Sequence, residues 1–316
     1  MIRPFALLRA PDAAFVFTVI SLVALVFGIA FLLGSLANLG WPVALLGGAA
    51  AGLFPPVIGS LYFGQANLVV LLLLAVSYRC LMPGPLLGLA GAIKLYPAAG
   101  FLAALIQRRW RVLRNGLAVL MVLLLIQLLN PGGGLGPGGS FVAPDTYWSN
   151  ESINGWLSRL AIASTWTKPP FPGLPVEPIM IVVVVLLTIL TIDLLLRSRQ
   201  AGWEGALALS LWLGVVCAPK NSLWNFAPLL ICVVYVWSQL GGRWHLFAIG
   251  LVGWLLIELQ AQLDSAREIV YQGSASLAWL SSVGLYGALI LGGLTAYVLL
   301  RPAMPYSRPS PRPPSR

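Results

Sequence analysis

Long stretches with almost no charged side chain limit the possible folds of this sequence more than any other feature. Of its 316 residues, 59% are hydrophobic and 9% are charged, whereas a soluble domain carries about 25% charged residues. In hydrocarbon every backbone polar group needs a partner within the protein, and runs of about 20 apolar residues satisfy this need as helices. The sequence therefore predicts an all-α polytopic membrane protein. It excludes a soluble enzyme, a disordered chain and a disulfide-stapled secreted domain.

The apolar runs and the basic residues between them predict a topology. We predict about ten transmembrane helices in the cytoplasmic membrane. With the N-terminus inside, most of the 19 Lys and Arg residues fall on the inner side, as the positive-inside rule requires, so we expect both termini to be cytoplasmic. This explains the net charge of +10 without a nucleic-acid partner. The approximate spans are 14–36, 41–60, 66–82, 85–105, 112–130, 178–196, 203–218, 221–239, 244–262 and 277–300.

One long loop and one tail interrupt this pattern. We predict a single transmembrane domain over residues 1–300, with an outer loop at about 131–177 and a basic Pro/Ser/Arg-rich cytoplasmic tail at 301–316 that is disordered. The loop opens with a Pro/Gly-rich run and then turns polar and aromatic. Loops of this length are functional or disordered.

Few residue types for metal or nucleophilic chemistry are present. The three cysteines lie in or beside apolar runs without paired spacing, and the chain has one histidine. We interpret the cysteines as small buried apolar residues. We therefore expect no metal site, no cofactor and no Ser-His-Asp triad.

Lys94 is the most informative polar position because it falls inside the predicted fourth span, followed by Pro97. A cation in a membrane segment costs on the order of 3 kcal/mol, which a lipid phosphate or a polar cavity would offset. Pro97 frees a backbone carbonyl and opens the helix locally. The alternative is a structural lysine that snorkels or pairs with Glu258.

Two further groups of polar residues are candidates. Gln65 and Asn67 join the second and third spans, where they could bind substrate or cap a helix. In the outer loop, Glu151, Asn154 and Arg159 suit sugar hydroxyls and a phosphate, or else they satisfy the loop's own backbone. Lys220 lies in an outer connection, where it could clamp an anionic headgroup or be solvated.

These stretches occur in an order that resembles a known family. Taken together they look like the polyprenyl-phosphate-mannose-dependent mannosyltransferases of glycosyltransferase family 87, of the DUF2029 type in the GT-C superfamily. The likeness covers nearly the whole chain and depends on the order of its motifs. These are Pro4 to Leu8, Phe54-Pro55-Pro56, Gly64 to Asn67, Gly88 to Pro97, Arg108 to Arg111, Ser152 to Gly155 with Arg159-Leu160, and Ala218-Pro219.

The resemblance implies a GT-C-like fold and an inverting transfer on the outer face of the membrane. A polyprenyl-phosphate sugar, usually mannose, donates to a lipid-linked or glycolipid acceptor, and an aspartate acts as general base. By this resemblance Lys94 and Lys220 bind the donor phosphate, and Gln65 and Asn67 shape the site. Asn154 and Arg159, with Glu151 beside them, contact donor or acceptor.

Two departures from the family pattern affect this interpretation. The family's catalytic aspartate lies in the first outer loop and has no counterpart here. We expect the sequence to begin after that loop, and we place Asp12 on the inner side. After Pro219, where many members carry Ser-Trp and a His pair, this chain reads Asn221 to Asn225.

The missing base keeps other functions open. The chain could be a non-catalytic relative that binds polyprenyl lipids, or an accessory subunit. A lipid or solute transporter is a third hypothesis, but we find no internal repeat of the kind that many transporters show.

Overall fold

The computed structural model describes residues 8–78, 80–129, 143–165, 167–199, 202–265 and 275–301. Within these ranges the chain is helical, and the one β-type pairing is an isolated bridge between Asn150 and Ser222. Its α-helices are α1 (Ala10–Leu36), α2 (Trp41–Ala50), α3 (Pro55–Tyr62), α4 (Asn67–Ser77), α5 (Pro83–Ile93), α6 (Gly100–Ile106), α7 (Trp110–Leu129), α8 (Ile153–Ala161), α9 (Val176–Arg197), α10 (Trp203–Cys217), α11 (Leu230–Gln239), α12 (Trp244–Ser265) and α13 (Val283–Leu300). Turns of 3-10 helix cover Ala51–Leu53, Tyr96–Ala99, Leu223–Leu229 and Ala275–Ser282.

Prolines determine where several helices begin. Helices α1, α2, α3 and α5 each carry a proline in the first two positions, where its missing N–H costs nothing and its fixed φ suits the helix. Because α3 begins directly after the turn that ends α2, the two helices are bent by 72°. Proline thus divides the second apolar run into two short helices.

The bundle has two chemically different ends. At one end, which we call the arginine end, a cavity brings together Leu36, Arg197, Gln239 and Arg301, and Arg109 lies over the ring of Trp203. At the other, the loop end, the segment 143–165 meets the 219–222 connection, where Glu151 N donates to Asn221 O at 2.6 Å.

Helices α5 and α6 form a hairpin that enters from the arginine end and returns to it. Gly84 and Gly88 pack successively along α7, beside Val112 and then Gly116, so α5 runs parallel to α7. Phe101 of α6 also contacts Gly116, and Gln107 after α6 donates to Gly202 O at 3.4 Å. The chain therefore reverses direction between α5 and α6.

This hairpin corrects the predicted topology. Residues 85–105 were expected to cross once, but Lys94 is extended (φ −139°, ψ 137°) and ends α5, so the run makes two short passes. One additional pass reverses the end of the bundle at which each preceding helix starts, compared with the prediction. Leu36 lies at the arginine end, and a helix of 27 residues is about 40 Å long. Ala10 therefore starts near the loop end, whereas Leu300 lies at the arginine end. The prediction placed the start of the first span, with Asp12, and the end of the last span on one inner side, and the described ends of α1 and α13 disagree with that placement.

The number of long helices also differs from the prediction. In the described ranges, five helices are long and apolar enough to cross a membrane, or six if the bent pair at 41–62 counts as one span. These features support a polytopic helical membrane protein. The count of about ten is not reached, because α4, α5 and α10 have only 11, 11 and 15 residues.

The described part of the long loop includes a helix. It contains α8, whose N-terminus is capped by Ser152 accepting from Gly155 N at 3.2 Å. The Pro/Gly-rich run, Arg79 and the 302–316 part of the predicted tail lie outside the described residues.

The α5–α7 contact generates a test of the hairpin. A Cβ on Gly88 would collide with the backbone carbonyl of Gly116, whereas a Cβ on Gly293 would meet nothing within 4 Å. We expect Gly88→Ala to lower the melting temperature in detergent by an amount worth about 1–3 kcal/mol, the cost of overpacking. Gly293→Ala is the matched control and should be neutral or slightly stabilising. Equal melting temperatures for the two variants would contradict the α5–α7 packing.

Candidate functional site

Three interruptions of regular helix meet near the loop end of the bundle. They are the turn between α3 and α4, the break between α5 and α6, and the start of the 223–229 segment. The break is close to the loop end, because the Tyr96 carbonyl packs on Gly214, three residues before α10 finishes. Interrupted helices leave backbone groups that need polar partners, and this accounts for the polar side chains in an apolar bundle.

Lys94 lies at the centre of this region. Its Nζ donates to Gln65 Oε1 at 2.8 Å and to Asn225 Oδ1 at 3.4 Å, and the side chain is half-buried. Within the described residues no carboxylate lies within 4.0 Å of Nζ. Glu258, the alternative partner considered from the sequence, is therefore not paired with Lys94. The cation is held by neutral amide oxygens alone.

A hydrogen-bonded layer supports this cation. Tyr96 Oη donates to Asn67 Oδ1 at 3.1 Å, and Asn67 Nδ2 donates to the Trp224 carbonyl at 3.0 Å. Ser60 Oγ donates to the same carbonyl at 2.9 Å. We refer to Ser60, Gln65, Asn67, Lys94, Tyr96 and Asn225 as the Lys94 cluster. Its members fix the three interruptions against one another.

This geometry excludes one of the two interpretations of Asn67, the helix cap. A helix cap would use its side chain on the N–H groups of α4, but no side-chain cap is made there and Asn67 is already the first helical residue. Its amide is fully used by Ser60, Tyr96 and Trp224. Asn67 therefore builds the cluster and does not cap the helix.

Arg159 is the centre of a second, buried group at the loop end. Its side chain has no exposed area, and Nε and Nη2 donate to the Ser281 Oγ and O atoms at 2.9 and 2.8 Å. Nη1 donates to Tyr147 O at 2.8 Å, and Nη2 also contacts Ser282 Oγ. Arg159 thus fastens the loop to the segment that precedes α13.

Glu151 accompanies Arg159 in this group. Its Oε1 lies 3.6 Å from Arg159 Nη2, both side chains are fully buried, and neither carboxylate oxygen has a hydrogen-bond partner of normal geometry. Burial raises the pKa of Glu151 well above its ordinary value, and the Arg159 guanidinium opposes this shift. The carboxyl also lies beside Gly284 in the first turn of α13, where the helix dipole favours a negative charge.

The remaining two predicted residues also lie at the loop end, one buried and one exposed. Asn154 is buried; its Nδ2 donates to Ala143 O at 2.9 Å and its Oδ1 accepts from Ser158 Oγ at 2.9 Å. Lys220 is 66% exposed, and its Nζ is 3.9 Å from Asp145 Oδ2. Lys220 is therefore the more accessible of the two.

The seven predicted residues thus fall into two groups joined by one connection. Gln65 and Lys94 are in contact, and Asn67 joins them in the Lys94 cluster through Tyr96 and the Trp224 carbonyl. Glu151, Asn154, Arg159 and Lys220 belong to the loop end. Residues 219–225 link the groups: Ser152 Oγ donates to Pro219 O at 3.2 Å at one side, and Asn225 reaches Lys94 at the other. No group of three His, Cys, Asp or Glu residues that could hold a metal occurs in the described part of the chain.

Three members of the Lys94 cluster were not singled out from the sequence. Ser60, Tyr96 and Asn225 each contact a residue that was predicted, over separations of up to 131 positions. Tyr96 could have been found from its position between Lys94 and Pro97. Nothing local marks Ser60 or Asn225.

Comparison with known proteins gives one match. A family model described as glycosyltransferase family 87 matches residues 1–219. No curated protein and no solved structure matches the chain. The matched segment contains Gln65, Asn67, Lys94, Glu151, Asn154 and Arg159, and it ends before Asn225.

The contacts of Arg159 predict a large structural effect of a conservative change. Arg159→Lys keeps the charge but cannot supply five planar donors, so it leaves buried acceptors unsatisfied beside Glu151. We expect a loss of roughly 1–3 kcal/mol of stability for each buried acceptor left without a donor, measured as the melting temperature in detergent. Arg114→Lys, at an exposed arginine on α7, should change little. An Arg159→Lys protein as stable as the wild type would contradict the anchoring role.

The raised pKa of Glu151 predicts a pH dependence. The folded state binds this proton more tightly than the unfolded state, so the contribution of Glu151 is largest below the ordinary value of 4.5 and is lost as pH rises through the folded pKa. We expect the melting temperature to fall over that range, and Glu151→Gln to flatten the fall. Glu177→Gln, at an exposed carboxylate, is the control. If the melting temperature rose with pH over this range, and Glu151→Gln removed that rise, the raised pKa of Glu151 would be contradicted.

Proposed function

Because the chain belongs to glycosyltransferase family 87, we propose that it is a membrane hexosyltransferase that uses a polyprenyl-phosphate sugar, most simply mannose, as donor. The acceptor is a lipid-linked or glycolipid hydroxyl. The family match supports a membrane glycosyltransferase in general. The identity of the sugar, the donor lipid and the acceptor are parts of the proposal.

The observation that carries the proposal is the unneutralised charge of Lys94. Among the described residues, this half-buried ammonium is held by two neutral amide oxygens and has no carboxylate within 4.0 Å to supply the counter-charge that such a group needs. A phosphodiester would supply it and bring a polyprenyl chain suited to the surrounding apolar helices. An ammonium has three donors, and Gln65 and Asn225 use two of them, which leaves one N–H for a phosphate oxygen.

The proposed chemistry gives Lys94 a role in the reaction. The bond between the anomeric carbon and the phosphate oxygen breaks, and the acceptor oxygen forms a bond to that carbon from the opposite face. The acceptor proton passes to a base that we do not assign. Negative charge increases on the departing phosphate, where the Lys94 ammonium would stabilise it, and such preorganised charge is often the largest catalytic contribution.

The other predicted residues receive positions in this proposal. Gln65 orients the Lys94 ammonium beside the donor phosphate, and Asn67 holds the break in α5–α6 behind it. Lys220 is exposed enough to contact an incoming headgroup. Glu151, Asn154 and Arg159 are buried, so in this proposal they shape the loop above the site from within and do not contact the donor or acceptor directly.

The distribution of arginines supports an orientation for the site. Arg108, Arg109, Arg111, Arg197, Arg199, Arg243 and Arg301 lie at or beside helix ends of the arginine end. By the positive-inside rule we place this end in the cytoplasm and the loop end on the outer face of the cytoplasmic membrane. The Lys94 cluster then lies on the side of the outer leaflet.

Binding of the donor tests the proposal. We expect Lys94→Ala to weaken the binding of polyprenyl-phosphate mannose to the purified protein by about 10- to 100-fold, because a hydrogen bond to a charged group contributes roughly 1.5–3 kcal/mol. Lys94→Arg should retain part of the affinity. Lys168→Ala, which removes an exposed lysine of the outer loop, is the matched control.

Three results would separate the proposal from its competitors. Transfer of labelled mannose to an acceptor lipid supports the enzyme, whereas donor binding without turnover identifies a non-catalytic lipid-binding relative. Movement of the headgroup across a vesicle membrane without bond cleavage identifies a transporter. Wild-type donor affinity in a correctly folded Lys94→Ala protein would refute the phosphate site.

A further inference from the structure

A polar cavity of about 720 Å³ lies at the arginine end, away from the Lys94 cluster. It forms where α1, α11 and α13 end and where the chain turns from α9 into α10. Its polar wall includes Arg199, Glu204, Tyr235, Gln239 and Arg301. The proposed glycosyl transfer uses none of these residues, so this cavity needs a separate explanation.

Charges of both signs line this cavity without neutralising each other. Arg197 is paired with Asp193 at 2.8 Å, but neither Arg199 nor Arg301 lies within 4.0 Å of a described carboxylate. Arg301 lies over the ring of Tyr297, 4.2 Å from its centre. In the same described set, no Lys or Arg nitrogen is within 4.0 Å of the Glu204 carboxylate. The cavity therefore offers separate sites for an anion and for a cation.

The rest of the lining is apolar. Leu36 and Leu196 face the cavity together with Val298 to Leu300 at the end of α13. Helix ends that combine arginines with exposed leucines lie at the membrane–water boundary, where basic pockets between helices bind lipid headgroups. A ligand that fits has a charged head carrying both signs and an apolar tail.

We propose that this cavity binds the headgroup of a phosphatidylethanolamine lipid from the leaflet at the arginine end. Its phosphate contacts Arg199 and Arg301, and its primary ammonium contacts Glu204. Phosphatidylglycerol carries the phosphate without the cation. Phosphatidylcholine carries a quaternary ammonium that cannot donate a hydrogen bond to a carboxylate. The pairing with Glu204 therefore predicts a preference among lipids that share the same tails.

Native mass spectrometry of the purified full chain would test the proposal. The protein is titrated with phosphatidylethanolamine, phosphatidylglycerol and phosphatidylcholine of identical acyl chains, and the bound lipid is counted. We expect wild-type protein to retain phosphatidylethanolamine over the other two by about fivefold, the ratio that one partly exposed ion pair supplies.

Two variants test separately the contact of the arginines with the lipid phosphate and the contact of Glu204 with the lipid ammonium. Arg199→Gln combined with Arg301→Gln should reduce retention of all three lipids, because each of them carries the phosphate. Glu204→Gln should abolish the preference for phosphatidylethanolamine over the other two lipids while some retention remains. The Glu204 backbone carbonyl, which accepts from Tyr78 Oη, is untouched. Arg114→Gln, at an exposed arginine that does not line the cavity, should retain the wild-type preference.

Several outcomes would overturn the proposal. These are equal retention of the three lipids, a preference for phosphatidylglycerol, or unchanged retention in the double variant at an unchanged melting temperature. Soluble glycerophosphoethanolamine that competes as well as the lipid would indicate that the cavity binds a soluble phosphodiester and not a membrane lipid. The Lys94 cluster is intact in every variant, so donor binding remains measurable and the two proposals can fail independently.

Discussion

The rest of this structure depends on the need to satisfy the backbone of broken helices inside an apolar bundle. Where α3, α5 and the 223–229 segment are interrupted, peptide groups lose their helical partners, and hydrocarbon offers none. The side chains of Ser60 and Asn67 meet this need by binding the Trp224 carbonyl. The same interruptions let Lys94 leave its helix and reach Gln65. The polar site therefore follows from the breaks, and the breaks follow from proline and glycine.

The sequence predicted the helical class and the central residues of the candidate site for identifiable reasons. A scarcity of charge over long runs has one structural solution in a membrane, so the class was secure. Lys94 was recognised because a cation in an apolar segment needs compensation. Gln65 and Asn67 were recognised because their amides lie at the connection between two predicted spans. All three meet in the Lys94 cluster, as expected of residues that solve one shared problem.

The features that the sequence did not predict depend on direction and distance. Hydropathy measures the length of an apolar run but not whether the chain reverses within it. Residues 85–105 were therefore predicted as one helix, although they form a hairpin around the extended Lys94. This error alone inverted the expected side of α1. Asn225 was not singled out because its contact spans 131 positions. The polar composition of the loop suggested that Arg159 contacts a substrate. In the structure its buried guanidinium donates to Tyr147, Ser281 and Ser282 of the protein itself.

The connection at 219–225 has a mechanical consequence. Within seven residues it is hydrogen-bonded to the outer loop at Pro219 and Asn221 and to the Lys94 cluster at Trp224 and Asn225. A segment this short has little slack. If the proposed donor phosphate displaced Asn225 when it bound to Lys94, the hydrogen bonds at Pro219 and Asn221 would have to adjust. Binding at the Lys94 cluster and the position of the outer loop would then be thermodynamically linked. The connection at 219–225 would in this way couple the Lys94 cluster to the outer loop.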